Sequence, residues 1–302
     1  MNERVWTLLE LLNTARDYLN RKGIANARGD AEALLSNVLQ IPRIQLYIQH
    51  DRPIKGGEVA QYRSLLTRRA QHEPLQLLLG AVEFCDTRIH VAPGLLIPRP
   101  ETEELVDSLI SEIRERGKPA PIRILDIGTG TGCIAVALAC HLSEAEVDAA
   151  DIDFDAVRCA AANAERNQVA NRVRVLSADV LSDRFLSLVR VPYDVVVSNP
   201  PYIREQDFQG LPPEVKDFES RRALLAGQNG LKFYQRIAEI LPSLLSPDGI
   251  LALEIGHDQA SAVQTIFKPL LGSLLIRRDL AGHSRILFGS NPKVLTLTPQ
   301  DF

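Results

Sequence analysis

Cysteine is scarce in this chain and is not arranged for pairing. Four stand at positions 85, 133, 140 and 159, with no C-x-x-C pair and no repeated spacing. That excludes a disulfide framework and a zinc knuckle, and makes buried free thiols in a reducing compartment the expectation. Tryptophan and methionine occur once each, and aromatic residues make up only 5% of the chain. None of the six histidines (50, 72, 90, 141, 257 and 283) falls in a nucleophile or ligand pattern, so no metal is expected and hydrolytic chemistry gains little support. No apolar run reaches the roughly 20 residues that a membrane span needs. The opening Met1-Asn2-Glu3-Arg4 leads into an amphipathic stretch rather than a secretory signal, and a cytoplasmic location is expected. Basic excess is missing as well. A net charge of -4 weakens any reading in which the partner is held by phosphate neutralisation.

What is present is the balance of a water-soluble globular protein, with 45% apolar and 24% charged residues over 302 positions, enough for one large domain or two ordinary ones. The first 75 residues carry 11 Lys/Arg against 8 Asp/Glu, so a small positive excess there is offset in the remainder. An imbalance of that size reads first as solvated helix faces.

Residues 1–75 pattern as a small all-helical bundle. Val5, Leu8, Leu9, Leu12, Ala15 and Leu19 recur at helical spacing and Gly23 closes the run; a second helix is expected to begin near Asp30 as its N-cap, with Leu34, Leu35, Val38 and Leu39 on one face. Pro42 and Pro53 bracket a third element, and Val59, Tyr62, Leu65 and Leu66 mark a fourth. Residues 76–97 contain a change of period, with Val82, Phe84, Arg88, Ile89 and Val91 flanking Cys85-Asp86-Thr87, which predicts a β-hairpin linker. From Pro98 onward a proline-bracketed segment opens a helix through Leu105, Val106, Leu109 and Ile110, and beyond residue 121 short apolar strands alternate with helices. Such alternation predicts an α/β domain over 98–302, a mainly parallel sheet covered on both faces, with ligands at the carboxyl ends of its strands.

The first of those ends reads Asp126-Ile127-Gly128-Thr129-Gly130-Thr131-Gly132. Three glycines let the chain turn sharply and lay its backbone against a ligand. No Lys-Ser/Thr follows, which excludes a phosphate-cradling loop, and Cys133 stands where a dinucleotide fingerprint has its third glycine. Asp126 suits a ligand with a cationic amine and a sulfonium better than a pyrophosphate. The second strand ends at Asp151, placed to accept from both ribose hydroxyls. After the third come Asp179, able to accept from an adenine amino group, and Val180, able to flank the ring. Each acid alone could simply cap a helix; their succession at three strand ends points to an adenosine ligand.

The fourth strand, Tyr193–Ser198, runs straight into Asn199-Pro200-Pro201-Tyr202. Two prolines fix φ and remove two donors, leaving rigid carbonyl acceptors beside a carboxamide. The Asn199 side-chain oxygen and the Pro200 carbonyl can each take one N–H of an NH₂ group on an sp² carbon. Tyr202 offers a flat substrate an aromatic face. The pattern predicts chemistry on a planar amide or amino nitrogen.

The stretches Asp126–Gly132 and Asn199–Ile203 resemble class I methyltransferases acting on such nitrogens. Glu73-Pro74-Leu75-Gln76, Gly80–Phe84, Leu96–Val106, Glu254–Gln259 and Asp279–Arg285 resemble, more narrowly, the release factor glutamine N5-methyltransferases, although Leu77-Leu78 stand where that family usually has Tyr-Ile. The resemblance implies a helical N-terminal domain that docks the substrate protein, a hairpin linker and a seven-stranded, doubly wound methyltransferase domain. It implies S-adenosylmethionine as methyl donor and the glutamine of the Gly-Gly-Gln motif of peptide-chain release factors as acceptor, with no membrane and no direct nucleic-acid contact. Carried over by position, Gly128–Gly132, Asp151, Val180 and Asn199 would contact the cofactor, Asn199–Tyr202 would hold the glutamine, and the Pro98–Glu103 segment would border the cofactor pocket. Rival readings are a methyltransferase of an exocyclic base nitrogen in RNA or DNA, one acting on a ribosomal protein glutamine, and a non-catalytic module that binds the cofactor. The first calls for a basic, aromatic-interleaved appendage, which is missing, and the last has no need of a nitrogen clamp.

Overall fold

A computed structural model describes residues 5–117 and 119–290; the Met1–Arg4 opening lies outside them. The chain divides into two compact units, one running to Ala81 and taking in Pro212–Phe218, the other comprising Val82–Leu211 and the rest from Glu219.

The first unit contains α1 (Leu8–Arg21), α2 (Ala27–Leu39), α3 (Arg43–Ile48), α4 (Gly56–Arg69) and α5 (Leu75–Leu79). Leu8, Leu19, Leu34, Leu35, Leu46 and Tyr62 fill its core, joined by Leu78 from the stretch that departs from the family. Two expectations need correction. The unit is not purely helical, because Trp6–Thr7 (β1) pairs antiparallel with Pro53–Ile54 (β2). Asp30 does not cap α2, which starts three residues earlier at Ala27. Its carboxylate is buried and accepts from Arg69 Nε at 2.7 Å, an ion pair that an N-terminal pattern cannot distinguish from a cap. The first helix is capped as a box, with Thr7 and Glu10 each bonding the other's backbone N–H.

In the second unit β3 (Ala81–Phe84) and β4 (Thr87–His90) form the hairpin, turned by Cys85 and Asp86 at φ 44° and 55°. Then follow α6 (Pro100–Arg116), β5 (Ile122–Ile127), α7 (Cys133–His141), β6 (Ala145–Asp151), α8 (Phe154–Arg166) and β7 (Val173–Ser177). The one-turn helix α9 (Phe185–Leu188) precedes β8 (Tyr193–Ser198), and two more come after it, α10 (Pro213–Lys216), which belongs to the first unit, and α11 (Arg221–Leu224). The chain ends its described part with α12 (Lys232–Leu244), β9 (Leu245–Glu254), α13 (Ala260–Phe267), β10 (Ser273–Arg278) and β11 (Ser284–Ser290). β9 begins at Leu245, which pairs with Tyr193 five residues ahead of the apolar run that opens at Ile250.

The seven strands lie in the order β10-β11-β9-β8-β5-β6-β7. The β9-β8-β5-β6-β7 core is parallel, and β11 runs antiparallel to both of its neighbours. Alternate residues of each central strand face opposite layers: Ile124, Val195 and Ala252 pack in one core, Leu125, Val196 and Leu251 in the other. This is the doubly wound sheet expected for a class I methyltransferase. Strand order reverses between β5 and β8, and there Ile127 lies level with both Ala150 and Ser198. Gly128, Asp151 and Asn199 therefore leave the sheet side by side, at the topological switch point where such sheets bind ligands.

Away from that edge, Asp148 on β6 is fully buried and accepts from Tyr193 Oη at 2.5 Å and from Arg174 Nε at 2.9 Å, with Arg190 completing the set. Burial alone would raise its carboxyl, but the bonds from Arg174, Arg190 and Tyr193 outweigh it and hold the group at about 2. Asp148→Ala strips the buried Tyr193 hydroxyl of its acceptor, while the two arginines, about two-fifths exposed, regain water. The expected loss is about 1–3 kcal/mol, read from urea unfolding; an unchanged midpoint would contradict the assignment.

Candidate active site

The glycine loop begins where β5 stops. Gly128 N and Thr129 N both donate to the Ala150 carbonyl at 2.8 and 3.1 Å, turning the chain across the end of β6. Gly128, Gly130 and Gly132 have φ of +73°, +56° and +80°, a region in which a side chain is strained. At Gly132 there is a second constraint, since a Cβ would come within 2.8 Å of Ala160 Cβ on α8. At Gly128 and Gly130 a Cβ would meet nothing within 4 Å, so their backbone borders open space.

That space is a cleft of about 850 Å³, part of it open to solvent. Gly128–Thr131 line its floor, with Asp151 and Ile152 on one side and Asn199 and Pro201 on another. Leu95, Pro98 and Thr102 contribute from the segment that enters α6. Ser220 and Ala223 close the remaining side, their loop held by the Ser220 N–H to Gly94 carbonyl bond at 3.1 Å and by the ion pair of buried Glu219 with Arg99. Asp151 binds the loop it faces: Oδ2 accepts from Gly130 N at 2.9 Å and Oδ1 from Asp153 N at 2.8 Å. Burial raises its carboxyl above the ordinary range despite these two bonds.

Six of the expected positions lie outside the walls of this cleft: Asp126, Gly132, Asp179, Val180, Pro200 and Tyr202. Asp179 Oδ1 accepts from Leu181 N at 2.9 Å, a local turn. Asp126 is 0% exposed; its Oδ2 accepts from Thr129 Oγ1 at 2.6 Å and its Oδ1 has no partner among the described residues, nor does the buried Thr131 Oγ1. Tyr202 is half-buried, and its hydroxyl points at Glu254 Oε1, 3.4 Å away.

Three buried polar residues shape the site: Thr102 belongs to the Pro98–Glu103 segment expected at the cofactor pocket, while Glu254 and Gln259 are not singled out by sequence reasoning. Glu254, at the end of β9 one residue beyond the Ser198–Leu253 pair, is level with Asn199. Its Oε2 accepts from Thr102 Oγ1 at 2.6 Å, and that oxygen accepts from Asn199 Nδ2 at 3.1 Å. Burial pushes the Glu254 carboxyl up to about 7, against the pull of Thr102 and of the Arg285 charge. Gln259, 3% exposed, holds the end of the tetrapeptide, donating from Nε2 to the Tyr202 carbonyl at 3.0 Å and to that of Gly230 at 3.2 Å. The only sequence signal for Glu254 and Gln259 is that they bound the Glu254–Gln259 stretch that resembles the family.

Asp126 yields a test. Burial pushes its carboxyl up to about 7, with the Thr129 bond opposing, against about 3.9 in an unfolded chain. Between those values the folded protein holds a proton that the unfolded chain has released. Its contribution to stability is therefore full below the unfolded value and is lost as pH rises through the folded one. Asp126→Asn, which keeps an acceptor for Thr129, should gain melting temperature relative to the parent as pH rises from about 4 to about 7 and hold that gain above it. A gap independent of pH would show that Asp126 ionises as freely as in water.

A model of the PrmC N-terminal domain matches residues 10–80, and one of the methyltransferase small domain matches residues 105–211. A release factor glutamine methyltransferase of Chlorobaculum tepidum is 38% identical over 279 residues, 92% of this chain and 95% of that protein. One of Geobacter sulfurreducens is 41% identical over 263 residues, 87% of this chain and 89% of the relative. Among solved structures, the hMettl16 catalytic domain in complex with a MAT2A 3'UTR hairpin superposes with a TM-score of 0.52 at 18% identity, over 82% of this chain and 87% of that one, a likeness of fold. With relatives of this identity spanning nearly its whole length, the chain belongs to the release factor glutamine methyltransferase family.

Proposed function

We propose that this chain transfers a methyl group from S-adenosylmethionine, in the cytoplasm, to the side-chain amide nitrogen of the glutamine in the Gly-Gly-Gln motif of bacterial peptide-chain release factors. One observation carries the reading: at the rim of a glycine-floored cleft, a carboxamide has its NH₂ side already engaged, beside a proline carbonyl that no donor among the described residues takes. The name shared by the relatives supports the choice of acceptor.

The residues of the cleft fit the cofactor. Gly128 and Gly130 leave room for a ligand against the backbone, and Thr131 Oγ1 is a buried hydroxyl without a partner among the described residues. Each Asp151 oxygen keeps a second lone pair beyond the N–H it already accepts, so both can take a ribose hydroxyl. Asp179 and Val180 are assigned the adenine edge; they follow Ala178, whose N–H donates to the Asp151 carbonyl at 2.8 Å. Asp126 is assigned the loop itself, through Thr129. When bound, S-adenosylmethionine supplies a methyl group on a positively charged sulfur.

Asn199 Oδ1 and the Pro200 carbonyl each accept one N–H of the substrate amide. With both hydrogens held, the nitrogen lone pair is turned into the cleft. An amide nitrogen is a weak nucleophile because that pair is delocalised. Acceptors placed for a nitrogen bending toward tetrahedral stabilise the transition state more than the planar ground state. Holding donor and acceptor in line supplies much of the remaining acceleration. Tyr202 lends its ring face to the flat amide. No strong general base is required, because the nitrogen becomes far more acidic as it is methylated and its proton passes to an acceptor or to water. The helical first unit is assigned to docking the release factor.

Asn199→Ala is expected to lower kcat/KM for methyl transfer to a release factor by at least about 100-fold. Its equilibrium affinity for S-adenosylmethionine should stay within a few-fold of the parent's. Full transfer activity in this variant would sink the clamp.

A further inference from the structure

Both ends of the tetrapeptide converge on one carboxylate. Thr102 Oγ1 and Tyr202 Oη donate to different oxygens of Glu254, at 2.6 and 3.4 Å, and Asn199 Nδ2 donates to the Thr102 oxygen at 3.1 Å. Thr102 comes from the first turn of α6, where Pro100 fixes the helix start, and Glu254 from the last position of β9. Both are nearly inaccessible, at 2% and 1% exposure. Burying a carboxylate is costly unless it is bonded, and this one is bonded only by groups that reach the reaction site or steer those that do.

The direction of these bonds carries information. A threonine hydroxyl has one hydrogen and two lone pairs. With Glu254 ionised and accepting from both neighbours, the single Thr102 hydrogen is committed to it, and the lone pairs of Thr102 are what remain for Asn199. Only the NH₂ side of the Asn199 amide can bond there. The flipped amide would set two acceptors face to face, with a buried polar pair unsatisfied. The carboxamide oxygen is thereby turned to the opposite side.

We infer that Glu254 and Thr102 form a two-residue relay that fixes the rotamer and the flip of the Asn199 amide, so that its oxygen, not its nitrogen, meets the substrate N–H. They are positioning residues, since neither needs to touch the reacting atoms. The inference rests on the clamp role of Asn199. It adds a specificity element: a flipped Asn199 would present N–H donors and would favour an acceptor atom over the amide NH₂ that the reaction needs.

The test uses the 302-residue chain with a release factor and S-adenosylmethionine, and five variants. Thr102→Val keeps the shape and removes the hydroxyl; Glu254→Gln keeps the shape and gives the Thr102 oxygen an NH₂ group that can donate to it. Each should lower kcat by about 10–100-fold, with the KM for release factor within about twofold. Thr102→Ser, which restores the hydroxyl, should recover most of the kcat lost in Thr102→Val. The double variant should be no slower than the slower single variant, because one relay can be broken only once. Thermal melts confirm that each variant is folded, and Asn199→Ala is assayed in parallel. Parent-like kcat in Thr102→Val, a serine variant as slow as the valine one, or multiplying losses in the double variant would each overturn the relay. If Asn199→Ala is itself fully active, the clamp fails first. If it is inactive while Thr102→Val and Glu254→Gln are not, the relay alone fails.

Discussion

Everything at this site depends on the register between β5 and β8. Ile127 lies opposite Ser198, and the Ser198 hydroxyl donates to the Ile127 carbonyl at 2.6 Å, locking the two strand ends together. On its other edge β5 is in step with β6, where Ala150 receives the first two N–H groups of the glycine loop. Because parallel strands deliver their ends on one side of the sheet, a single alignment brings the loop, Asp151 and the tetrapeptide to one level. A slip of one residue would turn Asn199 to the other face of the sheet and separate it from Thr102 and Glu254.

The elements of the second unit were legible because their physics is local. Val195, Val196 and Val197 form a short apolar run bounded by prolines, and the glycines of Gly128–Gly132 occupy positive φ that other residues resist. Tyr193–Ser198 could be read to the residue. Asp30 shows what was not legible. An acid before an apolar run suits an N-cap, yet this one lies inside a helix and answers an arginine 39 positions later. Only tertiary packing decides between the two. The same holds for the start of β9, where Leu245 pairs with Tyr193 five residues ahead of Ile250.

The candidate site divides along the same line. Asn199–Tyr202 and the glycine loop carry their chemistry in consecutive residues and can be read as words. Thr102 and Glu254 lie 152 positions apart, and no spacing rule joins them. Buried carboxylates recur here in different roles. Asp126 and Glu254 are pushed up to about 7 by burial and sit under the glycine loop and the tetrapeptide, while Asp148, paired with two arginines, is held at about 2 far from the chemistry. Acids that burial leaves without a full complement of charged partners are the ones placed against the reactive segments.

The composition speaks against a partner recognised through phosphate, and the proposed clamp would fix the kind of nitrogen without saying whose it is. The most direct measurement is therefore the location of the transferred methyl. Purified release factor and ribosomal RNA are offered together with methyl-labelled S-adenosylmethionine, and the products are digested and sequenced by mass spectrometry. The account predicts label on the glutamine side chain of the Gly-Gly-Gln peptide and none in the RNA. Label confined to RNA, or on any other atom of the release factor, would contradict it.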